Sequence, residues 1–421
     1  MKKIIFEQLD ETLFTDRLDN GLQVYVLPKK GFQKTYATFT TRYGSIDREF
    51  KVNGQLIKVP DGIAHFLEHK MFEEEEGDIF HTFAIQGAQT NAFTSFDRTT
   101  YLFSSTENIE KNLETLIDFV QRPYFTDENV EKEKGIIAQE IRMYDDNPDW
   151  RLYFGLLRAL YHTHPIRIDI AGTVESIHQI TKEQLYTCYE TFYHPSNMVL
   201  FVVGGVDPHK IIEVVKTNQA KKKFKKAPDI ERVHPEEPEA IHQPQNEIHL
   251  PVAMPKVLVG FKHKNLGLQG KEFIKKELEM QLLLELLLGN GSNFYHHLIS
   301  QGLIDEDFGF EFQIEQNYAF SLIGGNTKDP DDLVNQIQDV IFHTKGFDEQ
   351  LFQRSKKKKM GDFLRKLNVP EFIANQFSRY LFNESNLFEI LPVLEEITVE
   401  GINKTLEDFT EKNMAISIVR P

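Results

Sequence analysis

The sequence predicts a protein of mixed strands and helices, built as two related halves. Three observations carry that expectation. The chain has 421 residues, too many for one ordinary domain and about right for two or three. Near its middle lies a polar stretch with the basic run Lys221 to Lys226 and then Pro228, Pro235, Pro238 and Pro244, a linker by composition. Beyond it, the second half repeats the first in outline: an opening strand, helix-rich sequence, and a closing apolar strand. The expected boundaries are a domain over 1–220, a linker over 221–245 and a related domain over 246–421.

In order, Leu18-Asp19-Asn20-Gly21-Leu22 is a tight turn signalled by Asn-Gly. Val24 and Val26 alternate into a strand that ends at Pro28, and Thr35 to Thr41 is a second strand. Residues 46–60 are polar and read as a loop. The acidic run Glu73 to Glu76 reads as a solvated loop or helix end, because adjacent like charges repel. Thr90 to Thr94 and Thr99 to Phe103 form a hairpin of β-formers. Ser105 or Thr106 then caps a helix with Ile109, Leu113, Leu116, Ile117 and Val120 on one face.

A helix follows over 127–145, another from the Thr181 cap to Phe192, and a buried strand over Met198 to Val203. The second half opens on a strand at Val257 to Phe261 and a leucine-rich helix from Phe273 to Leu288, and it closes on a strand at Met414 to Val419. Gly289-Asn290-Gly291 follows a helix, not a strand, so it is a helix stop and not a phosphate loop. Lys356 to Lys359 read as an exposed helical face, and the adjacent His296 and His297 point to different faces and make a poor metal pair.

The stretch that carries chemistry is His65-Phe66-Leu67-Glu68-His69. On a helix, residues four apart lie one above the other, so His65 and His69 present two imidazoles to one ion. Glu68 sits beside them, placed to take a proton from a water on that ion. Zinc accepts nitrogen ligands of this kind and keeps one position open for water in catalytic sites. Ile63, Phe66 and Leu67 make the helix a buried one, and buried histidines need partners. A third protein ligand is still required.

The helix over 127–145 offers two candidates. Val130, Ile137, Ile141 and Tyr144, with Ile136 alongside, form its apolar stripe, and Glu133 and Glu140 fall on that stripe two turns apart. Either the stripe lies at a boundary where both carboxylates reach water, or one of them binds the metal, since an unpaired buried carboxylate is costly. In the second case Glu140 is the third ligand and Glu133 an auxiliary group.

The formal charge of −16 argues against a nucleic-acid partner. The single cysteine, Cys188, permits no internal disulfide, which fits a reducing compartment, and its helical surroundings suit an inert buried thiol. Ile4-Ile5-Phe6 is too short for a signal-peptide core, and no stretch approaches the roughly 18 apolar residues of a membrane span. The expectation is a cytoplasmic protein with no membrane partner.

Gly62 to His69, followed by Glu140 after a gap of 70 residues (140 − 69 − 1), resembles the inverzincin zinc peptidases: pitrilysin, insulin-degrading enzyme and the mitochondrial processing peptidase. Ala92-Phe93-Thr94-Ser95-Phe96, Asn147-Pro148-Asp149-Trp150 and His194-Pro195-Ser196-Asn197-Met198 are similar to a Gram-positive bacterial branch of that family. The resemblance spans essentially the whole chain. It implies the α+β class, with two related domains, each an antiparallel sheet with helices, arranged as a clamshell. It implies one zinc per chain on His65, His69 and Glu140, with Glu68 as general base and Glu133 as the family's second catalytic glutamate. Asn91 and Ala92 match the edge strand that pairs with a peptide substrate. The sequence departs from the family at Leu298 and Asp305, where many relatives hold an Arg and a Tyr that contact substrate. Short chains of this family pair, so a dimer is expected, possibly with a paralogous chain.

The function implied is a zinc endopeptidase acting on peptides or unfolded segments. The alternatives are a non-catalytic or partner-dependent subunit and a maturation protease dedicated to one partner.

Overall fold

The computed structural model describes residues 1–75, 77–264 and 267–421; Glu76 of the acidic run lies outside them. In chain order the strands are β1 (Lys2–Phe6), β2 (Glu11–Arg17), β3 (Gln23–Pro28), β4 (Thr35–Thr41), β5 (Glu49–Val52), β6 (Gln55–Lys58), β7 (Glu73–Glu74), β8 (Gly77–Asp78), β9 (Ala88–Thr94), β10 (Thr99–Ser105), β11 (Met198–Gly204), β12 (Ile230–Arg232), β13 (Gln245–His249), β14 (Lys256–Lys262), β15 (Gly309–Ile314), β16 (Ala319–Asn326) and β17 (Met414–Arg420). The helices are α1 (Ile63–Met71), α2 (Ile79–Ile85), α3 (Ile109–Val120), α4 (Asp127–Asp145), α5 (Pro148–Leu160), α6 (Val174–His178), α7 (Lys182–Phe192), α8 (Pro208–Ala220), α9 (Gly270–Leu288), α10 (Asn293–Ser300), α11 (Pro330–His343), α12 (Glu349–Lys366), α13 (Pro370–Phe382), α14 (Ile390–Glu396) and α15 (Val399–Thr405). No helix among the described residues is long and apolar enough to cross a membrane.

Two compact units result, and neither is contiguous. The first takes Met1–Ile141, Asp169–His234 and Leu367–Phe382; the second takes Arg142–Ile168, Pro235–Lys366 and Asn383–Pro421. A division by sequence order at 221–245 does not capture this exchange. Helix α5, from the first half of the chain, covers β17, β14 and β13, while α13, from the second half, covers β11 and β4. Aromatic packing holds α13 there: Phe377 stacks on Phe201 at 4.5 Å and tilts against Tyr25 at 4.9 Å. On α5, a Cβ at Gly155 would lie 2.4 Å from Asn246 and 2.6 Å from Ser417, so only glycine lets this helix approach its sheet so closely.

The first unit's sheet runs β1-β2-β3-β11-β4-β10-β9 and the second's β13-β17-β14-β16-β15. Both are mainly antiparallel, yet each contains one parallel pair, β3 with β11 and β13 with β17. The closing strand of each half inserts beside the half's early strand through a long connection, and such a connection permits parallel pairing.

Several local expectations are corrected. Residues 46–60 are not a loop but a β5–β6 hairpin, turned at Asn53 and Gly54, both at positive φ. The proline-containing linker carries β12, which pairs with β5, and Arg232 Nε lies 2.9 Å from the buried Asp47 carboxylate. Glu73 and Glu74 form a two-residue strand with Gly77 and Asp78. The residue before α3 is Asn108, at φ 51°, while Ser105 Oγ instead reaches the carbonyls of Gly87 and Glu107. Lys356 is buried, and its ammonium caps the carbonyls of Glu395 and Ile397 at 2.8 Å each. Ile136 is exposed, off the buried stripe of α4.

Candidate metal centre

Helix α1 is the element that gathers the site. Gly62, at φ 87°, opens it; a Cβ there would meet the Ala171 carbonyl oxygen at 2.3 Å, so the chain can enter the helix at this point only through glycine. Ile63, Ala64, Phe66, Leu67 and Met71 bury one face in the core of the first unit. The burial fixes the rotation of the helix, and His65, Glu68 and His69 follow on its remaining face. Helix α4 supplies the other two groups. Thr126 and Asn129 start it with reciprocal hydrogen bonds of 2.9 and 3.1 Å, and Val130, Ile137 and Ile141 bury its stripe. That stripe carries Glu133 and Glu140 toward α1.

His65, His69 and Glu140 come together: one donor atom from each lies within 4.8 Å of the others, the one such group of three among the described residues. His65 Nε2 is 3.7 Å from Glu140 Oε1, and His69 Nε2 is 3.6 Å from Glu140 Oε2. These gaps are too long for hydrogen bonds. They are close to the roughly 3.3–3.5 Å that separates ligands around a tetrahedral ion held at about 2.0–2.2 Å from each. A donor set of two imidazole nitrogens and a carboxylate oxygen suits zinc.

The charges around the two histidines differ. Burial, with His69 adding to it, pushes the His65 pKa down to about 3. His65 is therefore neutral near pH 7, the form that ligates metal. Burial also opposes a charge on His69, but the hydrogen bond it donates to Glu133 and the carboxylates of Glu68, Glu133 and Glu140 outweigh it and raise its pKa. His69 Nδ1 lies 3.1 Å from Glu133 Oε1, and this orients the ring so that Nε2 faces Glu140. Glu133 is thus a partner of His69 and not a member of the convergent group of three.

Glu68 is buried, and that burial raises its pKa, against the lowering effect of a hydrogen bond from Thr94. Its Oε2 accepts from the Thr94 hydroxyl at 2.7 Å. Lys70 is fully buried, ion-paired to Glu73 and 3.7 Å from Glu133 Oε2. Neither Thr94 nor Lys70 was marked by sequence reasoning. The signal for Thr94 is strand alternation, since it shares a face of β9 with Ala92. Lys70 carried no usable signal, because a lysine next to acidic residues ordinarily lies in water.

Asn91 and Ala92 lie on β9, the edge strand of the first sheet, paired on one side with Leu102 and Tyr101 of β10. Asn91 is exposed, and its Oδ1 accepts from the Ala92 N–H at 2.9 Å. In the second unit, Leu298 on α10 is fully buried, while Asp305 accepts from the Asp307 N–H and from Asn326. Cys188 is buried, with burial pushing its thiol up to about 12.

Residues 58–174 match the family model described as insulinase, peptidase family M16, and residues 179–359 match the one described as the peptidase M16 inactive domain. The chain is 56% identical over 411 residues to the uncharacterized zinc protease YmfH of Bacillus subtilis, covering 97% of this chain and 96% of that protein. A crystal structure from Alicyclobacillus acidocaldarius, described as M16-like, is similar at a TM-score of 0.95 and 47% identity, over 98% of each chain. A protease from Helicobacter pylori has the same fold at a TM-score of 0.83 and 22% identity, over 97% of this chain and 99% of that one.

Proposed function

The chain belongs to the insulinase peptidase family M16, and from that premise we propose that it is a zinc-dependent endopeptidase hydrolysing peptides or unfolded segments. The observation that carries this reading is the convergence of His65, His69 and Glu140, with the buried Glu68 carboxylate beside them. In this reading His65 Nε2, His69 Nε2 and the Glu140 carboxylate hold one zinc ion. When bound, zinc supplies Lewis acidity that polarises the scissile carbonyl and acidifies the attacking water.

The chain's own residues do the rest. Glu68 takes the proton from the attacking water and passes it to the leaving amine. Burial raises the Glu68 pKa, so the carboxylate is a stronger base than an exposed one while still able to return its proton. Glu133 keeps His69 in the orientation that leaves Nε2 free for the metal. The free edge of β9, with Asn91 and Ala92, offers backbone groups to an extended peptide.

The test is turnover of a peptide library by the zinc-loaded chain and by Glu68→Gln. Loss of a proton-transfer group costs on the order of a hundred- to ten-thousand-fold in rate, with zinc retained. Equal rates for the two proteins would contradict the reading.

A second reading rests on Leu298 and Asp305. Leu298 presents no donor from the core, and the Asp305 carboxylate is occupied by the Asp307 N–H and the Asn326 amide. A subunit that relies on a paralogous chain for substrate contacts would have this character. Adding such a paralogue to the purified chain then raises the peptidase rate; an unchanged rate removes the need for a partner.

A further inference from the structure

A cleft beside Asp16–Asn20 and a pair of histidines, His162 and His242, lie outside the metal centre. The cleft, of about 890 Å³, is bordered by Lys216, Lys222 and Lys225, but these pair with Asp16, Asp118 and Glu190. His162 and His242 face each other with Nδ1 atoms 3.3 Å apart, but no third ligand joins them among the described residues. At the metal centre itself, the Thr94 hydroxyl contacts the Glu68 carboxylate.

We infer that Thr94 is a positioning residue for Glu68: its hydroxyl ties up Oε2, so that Oε1 is the oxygen that handles the proton during peptide hydrolysis. The inference deepens the endopeptidase reading and rests on it. Thr94 ends β9, while Glu68 is on α1, so this hydrogen bond, with a lesser contribution from the Thr94 backbone, ties a carboxylate on the helix to the end of the edge strand.

The direction of the bond follows from its neighbours. Thr99 Oγ1 lies 3.4 Å from Thr94 Oγ1, but Thr99 gives its own proton to the Tyr43 carbonyl at 2.9 Å. Thr94 is therefore left to donate its proton to Glu68, and an ionised carboxylate can only accept. A hydrogen bond to a charged group is among the stronger ones, at 2.7 Å here. It removes rotation about the last bond of Glu68, a torsion with a broad minimum when unrestrained.

In the reaction, the water oxygen bonds to the scissile carbonyl carbon as its proton moves to Oε1. That proton then goes to the leaving nitrogen as the carbon–nitrogen bond breaks. Thr94 keeps its own proton throughout, holding the carboxylate still for both transfers.

The experiment compares wild type, Thr94→Val, Thr94→Ser and Glu68→Gln as full-length zinc-loaded chains on one fluorogenic peptide. Valine matches threonine in shape without the hydroxyl; serine keeps the hydroxyl without the methyl. Thr94→Val is expected to lower kcat by about tenfold or more. KM, zinc affinity by chelator competition and the melting temperature stay close to wild type, because the lost contact acts on the chemical step. Thr94→Ser restores most of kcat, and a crystal structure of Thr94→Val shows the Glu68 carboxylate rotated away from its wild-type setting.

An unchanged kcat in Thr94→Val overturns the inference. So does a serine variant as impaired as the valine one, which would assign the effect to packing. Loss of zinc affinity in parallel with kcat does the same. A wild type as slow as Glu68→Gln overturns instead the endopeptidase reading on which the inference stands.

Discussion

In the first unit β11 enters between β3 and β4, parallel to one and antiparallel to the other; in the second, β17 enters between β13 and β14 in the same senses. Each sheet ends on an edge strand, β9 or β15, and a helix packs against that strand, α1 or α9. The helices differ. Helix α1 buries the two charged residues Glu68 and Lys70 within nine positions, whereas α9 buries one, Glu277, among Leu278, Leu282, Leu283, Leu284, Leu286, Leu287 and Leu288. One topology therefore supports a costly polar cluster in one unit and a largely aliphatic core in the other. Burying charged groups needs partners at every atom, so the cluster of α1 marks where function overrides stability, and α9 shows what the fold adopts without that demand.

The comparison is broken most directly at the metal ligands. Glu140→Ala is expected to strip most of the zinc, since it removes a charged ligand from a set of three, whereas Glu133→Ala lowers affinity by about 10–100-fold through the orientation of His69. Metal analysis of the purified variants checks this; greater loss in Glu133→Ala would exchange the two roles.

In the second unit the corresponding change is purely structural. Leu282→Ala in α9, at a fully buried position, is expected to cost about 2–5 kcal/mol of stability. The zinc affinity of the first unit should stay near wild type, because Leu282 belongs to the second unit and is not part of the core on which α1 and α4 pack. Thermal denaturation and chelator titration of the same sample separate the two effects.

A smaller effect concerns Glu237 of the second unit. Burial works against its charge, but Lys262 and the backbone N–H groups of His162, Thr163 and His164 outweigh it and bring its pKa down to about 2. A depressed folded pKa means that the contribution is full above the unfolded value, about 4.3, and is lost as pH falls toward about 2. Glu237→Gln should therefore destabilise by about 1–3 kcal/mol at pH 7, and the gap to wild type should narrow as pH drops below 4. Denaturation curves across that range check the sign; a gap that widens in acid would contradict it.

Much of this was legible in the residues. Strands β3, β4, β9, β10, β11, β14 and β17 and helices α3, α4, α7 and α9 announce themselves by period, and the family resemblance carried by Gly62 to His69 and Glu140 named the three residues whose donor atoms lie within 4.8 Å of one another. What was hidden had physical reasons. The strands of the β5–β6 hairpin are only four residues each, so the alternation in Glu49-Phe50-Lys51-Val52 is too brief to stand out and Asn53-Gly54 is the clearer signal. Strand β12 lies in a proline-rich stretch and is held by the Arg232–Asp47 pair, a contact between residues far apart in sequence. Lys356 reads as surface because its partners, two helix-end carbonyls, are backbone atoms. The exchange of α5 and α13 depends on tertiary packing that no local pattern encodes.

The central claim is that one zinc ion is held by His65, His69 and Glu140. Crystals of the zinc-loaded protein, measured on both sides of the zinc absorption edge, test it directly. The account predicts one anomalous peak per chain, about 2.0–2.2 Å from His65 Nε2, His69 Nε2 and a Glu140 oxygen, with Glu133 on His69 Nδ1 and outside the coordination sphere. A zinc peak elsewhere, or one that excludes Glu140, would contradict it.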